Sequence, residues 1–242
     1  MEKEIDLLEK NVNTKDENIK RIESLHNEVK NSKYIIAIRA EQKSKWERRA
    51  ALTPDAVKEL VEMGIRVLVE PSLSRCFTDK QYQDAGAELS EDISEASVIF
   101  GVKEVPNNLL IPNKTYLYFS HTFKGQSNNM SNLNEILKKN IRLIDYELIK
   151  ENKIDNAQRL VAFGRFAGVV GAIDILQGVG DFLINKSIYT PFLHTGFSYM
   201  FSDLIEAKAR IQHIGEMIQK QGFNKKILPV VFAVTGNGRV AK

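Results

Sequence analysis

Short apolar runs alternate with amphipathic stretches along most of this chain. Five runs are rich in β-branched and aromatic residues and are bounded by Pro, Gly, Asn or charge, the pattern of buried strands. They are Tyr34-Ile35-Ile36-Ala37-Ile38, Ile65-Arg66-Val67-Leu68-Val69, Ser97-Val98-Ile99-Phe100-Gly101-Val102, Thr115-Tyr116-Leu117-Tyr118-Phe119 and Ile141-Arg142-Leu143-Ile144-Asp145. Helical signals lie between them. Thr53-Pro54-Asp55 places an N-cap, a proline at the first helical position and an acid favourable to the dipole. That helix should bury Val57, Leu60 and Val61 and stop near Gly64. A shorter helix is expected over residues 79–85 with Asp79 as its cap, and a turn over 92–96. Residues 127–139 read as a helix with Met130, Leu133, Ile136 and Leu137 on one face. Strand and helix alternating in this way predict an α/β fold, a Rossmann-like parallel sheet flanked by helices.

In an open parallel sheet, ligands bind just beyond the carboxyl ends of the strands. The third run is followed at once by Lys103 and Glu104, the fourth by Ser120, His121, Thr122, Phe123 and Lys124. Lys103, His121 and Lys124 are therefore expected to converge on one crevice. Each alone is better explained as an ordinary loop residue. Two successive strands ending alike, one with a histidine that changes charge near neutrality, raise acid–base chemistry as the competing explanation.

The second half of the chain has a different texture. Arg159-Leu160-Val161-Ala162-Phe163-Gly164 leads into a helix over residues 165–185 that carries Ala167, Gly168, Gly171, Ala172, Gly178 and Gly180. Glycine inside a helix costs about 1 kcal/mol against alanine. So many imply close approach of another backbone or a ligand, and a helix packed tightly on its neighbour satisfies the same pattern. A further helix over residues 202–221 carries a stripe of Ile205, Ile211, Ile214 and Ile218. The run Ile227-Leu228-Pro229-Val230-Val231-Phe232-Ala233-Val234 then reads as a buried parallel strand.

That run enters Thr235-Gly236-Asn237-Gly238-Arg239-Val240-Ala241, a G-x-G-x-x-A fingerprint. Gly236 would allow the tight turn, Gly238 the approach of a pyrophosphate, and Ala241 close helix–strand packing. The sequence stops at Lys242, before the helix whose N-terminus would hold the phosphate. It is therefore expected to be a piece of a longer protein, with little turnover of its own. The expected organisation is a charged helical extension over residues 1–32, a substrate and catalytic domain over 33–190, and a connecting helix with the start of a dinucleotide-binding domain over 191–242.

Composition narrows the function classes. A net charge of +3 over 242 residues, without a basic run interleaved with aromatics, argues against nucleic acid. The single Cys76 excludes an intrachain disulfide and fits a reducing compartment. One cysteine and four scattered histidines give no metal-site spacing. No apolar stretch approaches the ~20 residues that span a membrane, so no membrane partner is expected. The first thirty residues lack the apolar core of a signal peptide and the acid-poor character of a transit peptide. Ile19, Ile22, Leu25 and Val29 give them helical periodicity instead.

Several stretches together resemble the lysine–ketoglutarate reductase part of α-aminoadipic semialdehyde synthase and, more distantly, the single-chain lysine-forming saccharopine dehydrogenases. They are Trp46-Glu47-Arg48-Arg49-Ala50-Ala51-Leu52-Thr53-Pro54, Phe100-Gly101-Val102-Lys103, Phe119-Ser120-His121-Thr122, Arg142-Leu143-Ile144-Asp145-Tyr146-Glu147, Val161-Ala162-Phe163-Gly164 with Ala167-Gly168, Thr190-Pro191-Phe192 and the glycine fingerprint. The wider group includes alanine dehydrogenase and the nicotinamide transhydrogenase, whose amino-terminal domain supplies the implied fold. The resemblance implies condensation of the ε-amine of L-lysine with the keto group of 2-oxoglutarate. Hydride from NADPH, or NADH as the alternative, then reduces the imine to saccharopine. It implies Lys103 and His121 as the acid–base pair, and Arg49, Lys124 and Arg159 as carboxylate binders with Phe163 lining the site. Glu104 and Glu147 match acidic positions beside them. Arg39 is a weaker candidate, and Arg48 reads as solvated or structural. Gly236, Gly238 and Ala241 would contact the cofactor, and no metal is implied. A fused saccharopine-oxidising domain after Lys242 is the partner the bifunctional relatives suggest, with a cytoplasmic or mitochondrial setting.

Two other readings stay open at this point. An alanine dehydrogenase-like enzyme would use ammonia in place of lysine as the amine donor. A catalytically silent binding module would take saccharopine without NADPH.

Overall fold

The computed structural model describes residues 33–151 and 158–241. The helix expected over the first thirty residues lies outside them. The chain falls into two compact units, one ending at Val161 and the other beginning at Ala162. The boundary expected at residue 190 falls inside the second.

The first unit is built on six strands: β1 (Ile35–Ile38), β2 (Arg66–Val69), β3 (Glu88–Leu89), β4 (Val98–Phe100), β5 (Thr115–Tyr118) and β6 (Arg142–Asp145). All pair in parallel, in the order β3-β2-β1-β4-β5-β6. The five apolar runs supply five of these strands. Two-residue β3 is too short to show any periodicity. Parallel neighbours need crossovers, and α1 (Pro54–Glu62), α2 (Asp79–Asp84) and α3 (Met130–Lys138) provide three of them.

Alternation along the strands divides the core between the two faces of the sheet. Ala37 and Leu68 point to one cluster with Ile99, Tyr116, Tyr118 and Ile136. Their chain neighbours Ile38, Val67 and Val69 point to the other, with Val57 and Tyr82. Burial on both faces is why the runs are almost continuously apolar. Each Val, Leu or Ile side chain among them taken fully out of water stabilises the fold by about 1.5–3 kcal/mol. The buried tyrosines keep their hydroxyls satisfied: Tyr82 donates to Leu52 O at 2.7 Å, and Tyr116 accepts the Ile111 N–H at 2.9 Å.

Local signals hold with two corrections. Thr53 caps α1 by accepting the Ala56 N–H at 3.2 Å, and Gly64 follows the helix at φ +81°. The cap of α2 is Thr78, not Asp79. Thr78 and Gln81 form a reciprocal capping box, while Asp79 accepts the Ser72 N–H and lies 3.6 Å from Arg75. On α3, Ile136 is buried but Leu137 is 69% exposed, and Asn132 takes the inward position. Asn132 is held there by donating to Val105 O at 2.8 Å.

The second unit contains α4 (Gly164–Ile184) and α5 (Leu204–Gln221). Asp203 caps α5 by accepting the Glu206 N–H at 2.9 Å, and Ile214 is buried. Ile205, expected on the apolar stripe, is 79% exposed because it sits in the first turn beyond the packed stretch. The glycines of α4 divide into two kinds. A Cβ on Gly168 would lie 2.1 Å from Val240 O, and one on Gly180 would lie 2.7 Å from Leu193 N; at Gly171 and Gly178 nothing comes within 4 Å. Helix propensity alone makes Gly→Ala stabilising by up to about 1 kcal/mol, whereas overpacking costs about 1–3 kcal/mol. Gly180→Ala should therefore lower the urea midpoint and Gly171→Ala should raise it. Shifts of the same sign in both would contradict the close approach.

Two sequence expectations fail in this unit. The run 227–234 forms no strand, because the described part of the unit holds no other strand to pair with it. Its Val231, Phe232 and Val234 stay largely exposed, beside an apolar groove of about 1030 Å³ walled by Ala167, Leu176, Ile214 and Ile218. Helix α4, against the expectation that no apolar stretch approaches it, reaches a membrane-spanning length and hydropathy, 21 residues at a mean hydropathy of 1.6. The polar residues that interrupt it tie it to the segment that follows. Asp174 accepts the Ser198 N–H at 2.7 Å, and Gln177 accepts the Gly196 N–H at 2.8 Å.

Candidate active site

From β1 the sheet grows outward through β2 and β3, then restarts on the other side of β1 with β4, β5 and β6. Loops leaving β1 and β4 therefore diverge, which opens a crevice at the carboxyl ends of the central strands. The ionisable residues singled out in the first unit gather on these loops and on those after β5 and β6.

Beyond β4, Lys103 is half-buried and Glu104 is buried. Beyond β5, His121 takes a left-handed backbone at φ +52°, a conformation that costs an L-residue free energy and needs support from its surroundings. Its Nδ1 lies 2.9 Å from Glu104 Oε1. Asn129 donates to the same carboxylate oxygen at 3.1 Å, and Lys43 Nζ lies 3.9 Å from the other. Burial penalises the Glu104 carboxylate, but the hydrogen bond with His121 and the charge of Lys43 outweigh it and hold the carboxyl below its ordinary 4.5. A carboxyl depressed on folding contributes stability above its unfolded value, and that contribution is lost as pH falls through the folded value. Glu104→Gln should therefore show a shallower loss of stability than the parent chain as pH falls below about 4.5. Parallel acid limbs would contradict the pairing.

Beyond β6 lies the second carboxylate. Glu147 is buried, and its Oε1 is 2.8 Å from Arg159 Nη2 and 3.8 Å from Lys124 Nζ. Its Oε2 is buried without a hydrogen-bond partner among the described residues. Arg49, on the loop after β1, holds Glu47 in a bidentate pair at 2.8 and 2.7 Å. Burial opposes the Glu47 charge, yet the Arg49 fork, with Lys103 adding its charge, holds that carboxyl below its ordinary value. Lys103 and Arg49 thus share a neighbour.

The structure brings Lys103, Glu104, His121, Lys124, Glu147, Arg159 and Arg49 to one end of one sheet. Phe163, Gly236, Gly238 and Ala241 belong to the second unit, Phe163 as the residue preceding α4. Arg39 turns away from ligand binding: it is buried, bonds to Ala40 O and Gln42, and packs along Gly101. Arg48 donates to Ser74 O at 3.2 Å at the surface. Among the described residues no group of three or more His, Cys, Asp or Glu could hold a metal ion.

Sequence reasoning missed several residues of this cluster. Glu41 accepts the N–H groups of Val102 and Lys103. Ser120 donates to Asp145 at 2.5 Å and bonds to Thr122 at 2.7 Å, while the other Asp145 oxygen accepts the Glu147 N–H at 2.8 Å. The Glu41 contacts and the Ser120–Asp145 bond join loops far apart in the chain, so no local pattern announces them, while the Ser120–Thr122 and Asp145–Glu147 bonds are local turns two residues long. The one available signal was position, since Glu41 and Asp145 both lie at or just past a strand end.

A parallel sheet in this order, with paired ionisable groups at its central carboxyl ends, defines an open α/β ligand-binding domain. Residues 37–170 match the alanine dehydrogenase/PNT N-terminal domain, and the chain belongs to that family. The chain is 44% identical over 210 residues to alpha-aminoadipic semialdehyde synthase, mitochondrial, of Bos taurus, covering 87% of this chain and 22% of the relative. It is 36% identical over 140 residues to saccharopine dehydrogenase [NAD(+), L-lysine-forming] of Yarrowia lipolytica, covering 56% and 37%. A solved L-alanine dehydrogenase shares the fold at a TM-score of 0.50 and 20% identity, covering 63% of this chain and 42% of that one. The resemblance drawn from the motifs is therefore borne out, for a chain that spans about a fifth of the bovine relative.

Proposed function

We propose that this chain carries the amine–keto acid site of a saccharopine-forming reductase, one that condenses L-lysine with 2-oxoglutarate in lysine degradation. The observation that carries the reading is His121 paired with Glu104 beside Lys103, ringed by Arg49, Lys124 and Arg159. Joining an amine to a keto acid requires a proton to be taken from the amine, given to the carbinolamine oxygen and moved again as water leaves. A histidine and a lysine at one strand-end crevice can exchange protons near neutral pH. The substrates bring three carboxylates, which the arginine forks and Lys124 would hold. The partnerless Glu147 Oε2 offers an acceptor for the incoming amine, since a buried carboxylate oxygen is costly until a donor meets it.

The reduction needs a dinucleotide, and the second unit has features that fit one. Gly236 turns at φ +85°, and Gly238 has nothing within 4 Å of a Cβ position, so backbone there is open to a phosphate. Gly236 would make the turn, Gly238 would let the pyrophosphate approach and Ala241 would allow close packing around the cofactor site, and the bound nicotinamide would supply the hydride. NADPH is the proposed form, with NADH the alternative. The reading extends to a fused saccharopine-oxidising domain and to a mitochondrial setting, or a cytoplasmic one, with the mitochondrial name of the bovine relative supporting the first setting.

The amine-donor assay decides the reading. With 2-oxoglutarate and reduced dinucleotide, a form that sustains turnover should yield saccharopine from lysine and no product from ammonia. A 2-amino acid formed from ammonia and a keto acid, without saccharopine from lysine, would instead make it an alanine dehydrogenase-like enzyme.

A further inference from the structure

We propose that Glu41 is the positioning residue of Lys103: its carboxylate gathers the two backbone N–H groups at the end of β4 and fixes where the Lys103 side chain begins. The role rests on the reading of Lys103 as an acid–base group; the contact itself does not.

The strand ladder explains why such a residue is needed. Strand β4 ends at Phe100, whose carbonyl accepts the Arg39 N–H at 3.0 Å, and Gly101 donates to Leu117 O at 2.9 Å. Past that point β1 and β4 diverge at the switch point, and the N–H groups of Val102 and Lys103 no longer have a strand to bond. Buried backbone donors must find an acceptor. Glu41 reaches across from the loop after β1, 61 and 62 residues away in the chain, and takes Val102 N at 2.6 Å and Lys103 N at 2.9 Å, one on each oxygen.

A neutral side chain would do this less well. Hydrogen bonds to a carboxylate are roughly twice as strong as neutral ones, and two parallel bonds fix direction as well as distance. Room for the crossing comes from Gly101, where a Cβ would sit 3.4 Å from Glu41 Oε1 and 3.3 Å from Arg39 Cδ. Burial pushes the Glu41 carboxyl up, against the pull of the two N–H groups and Arg39. Such a desolvated charge is retained where its partners need it. Glu41 touches no reacting atom in this scheme, and its effect passes through the Lys103 backbone.

Competitive amine labelling tests this on the 242-residue chain without any turnover. The chain is treated with limiting acetic anhydride across a pH series, and each lysine is read by mass spectrometry. Glu41→Gln keeps the shape but turns an amide N–H toward one of the two donors. Its Lys103 labelling profile should move by about threefold or more in rate at a given pH, while exposed Lys58 and Lys80 keep the parental profile. Glu41→Asp, one methylene short of spanning both donors, should move Lys103 in the same direction by less. A Lys103 profile that superimposes on the parent in whichever variant folds overturns the proposal. The amine-donor assay separately decides whether the positioned lysine serves saccharopine formation.

Discussion

His121→Gln and Lys103→Met should each lower kcat by about 10²–10⁴-fold in any form of the protein that sustains turnover, the usual reach of a positioned acid–base group. The physical ground is the company these residues keep. His121 sits in a left-handed backbone at φ +52° against a buried carboxylate 2.9 Å away, and Lys103 starts from two backbone N–H groups tied to another. Neither arrangement is needed to close the sheet, whose core lies on the apolar faces of the strands. Arg49→Ala acts differently. It removes a carboxylate-binding fork and should mainly raise KM for 2-oxoglutarate or lysine, with kcat closer to the parent. Steady-state kinetics on the three variants separates the roles, and an unchanged kcat in both His121→Gln and Lys103→Met would remove the pair from the mechanism.

The second large effect is on stability. Asp145→Ala should cost about 3 kcal/mol in urea unfolding, since it strands buried donors that a carboxylate now satisfies. Asp145 is 6% exposed and uses both oxygens, one for the Ser120 hydroxyl at 2.5 Å and one for the Glu147 N–H at 2.8 Å. Ser120→Ala should cost less, about 1–2 kcal/mol, because Glu147 keeps its acceptor while Asp145 and Thr122 each lose one partner. If Asp145→Ala cost no more than Ser120→Ala, the two-sided role of Asp145 would be wrong.

The strands were legible because burial on both faces leaves little choice of residue, so β1, β2, β4, β5 and β6 appear as β-branched and aromatic runs. Lys103 and His121 drew notice because two successive runs end alike in ionisable residues, and the structure places both at the carboxyl end of the sheet. What could not be read is tertiary. Glu41 matters through bonds to backbone on another loop, and Asp145 through the Ser120 hydroxyl on another loop as well as the Glu147 N–H of its own turn, so neither stands apart in sequence from a solvated acid. The cap of α2 went to Thr78 because Gln81 completes a reciprocal pair that Asp79 does not form. Leu137 and Ile205 followed the helical period yet face solvent, since periodicity marks a face and not how far a neighbour covers it. The run 227–234 shows the same limit from the other side. Apolar composition makes a segment competent to be a strand, and only a pairing partner makes it one.

Titration of the 242-residue chain with saccharopine, followed by isothermal calorimetry, tests the central claim most directly. The account predicts saturable one-to-one binding, weakened about tenfold or more by Arg49→Ala or Arg159→Ala, because each removes a charge-assisted contact to a carboxylate. Absence of saturable heat, or L-alanine bound as tightly as saccharopine, would contradict it.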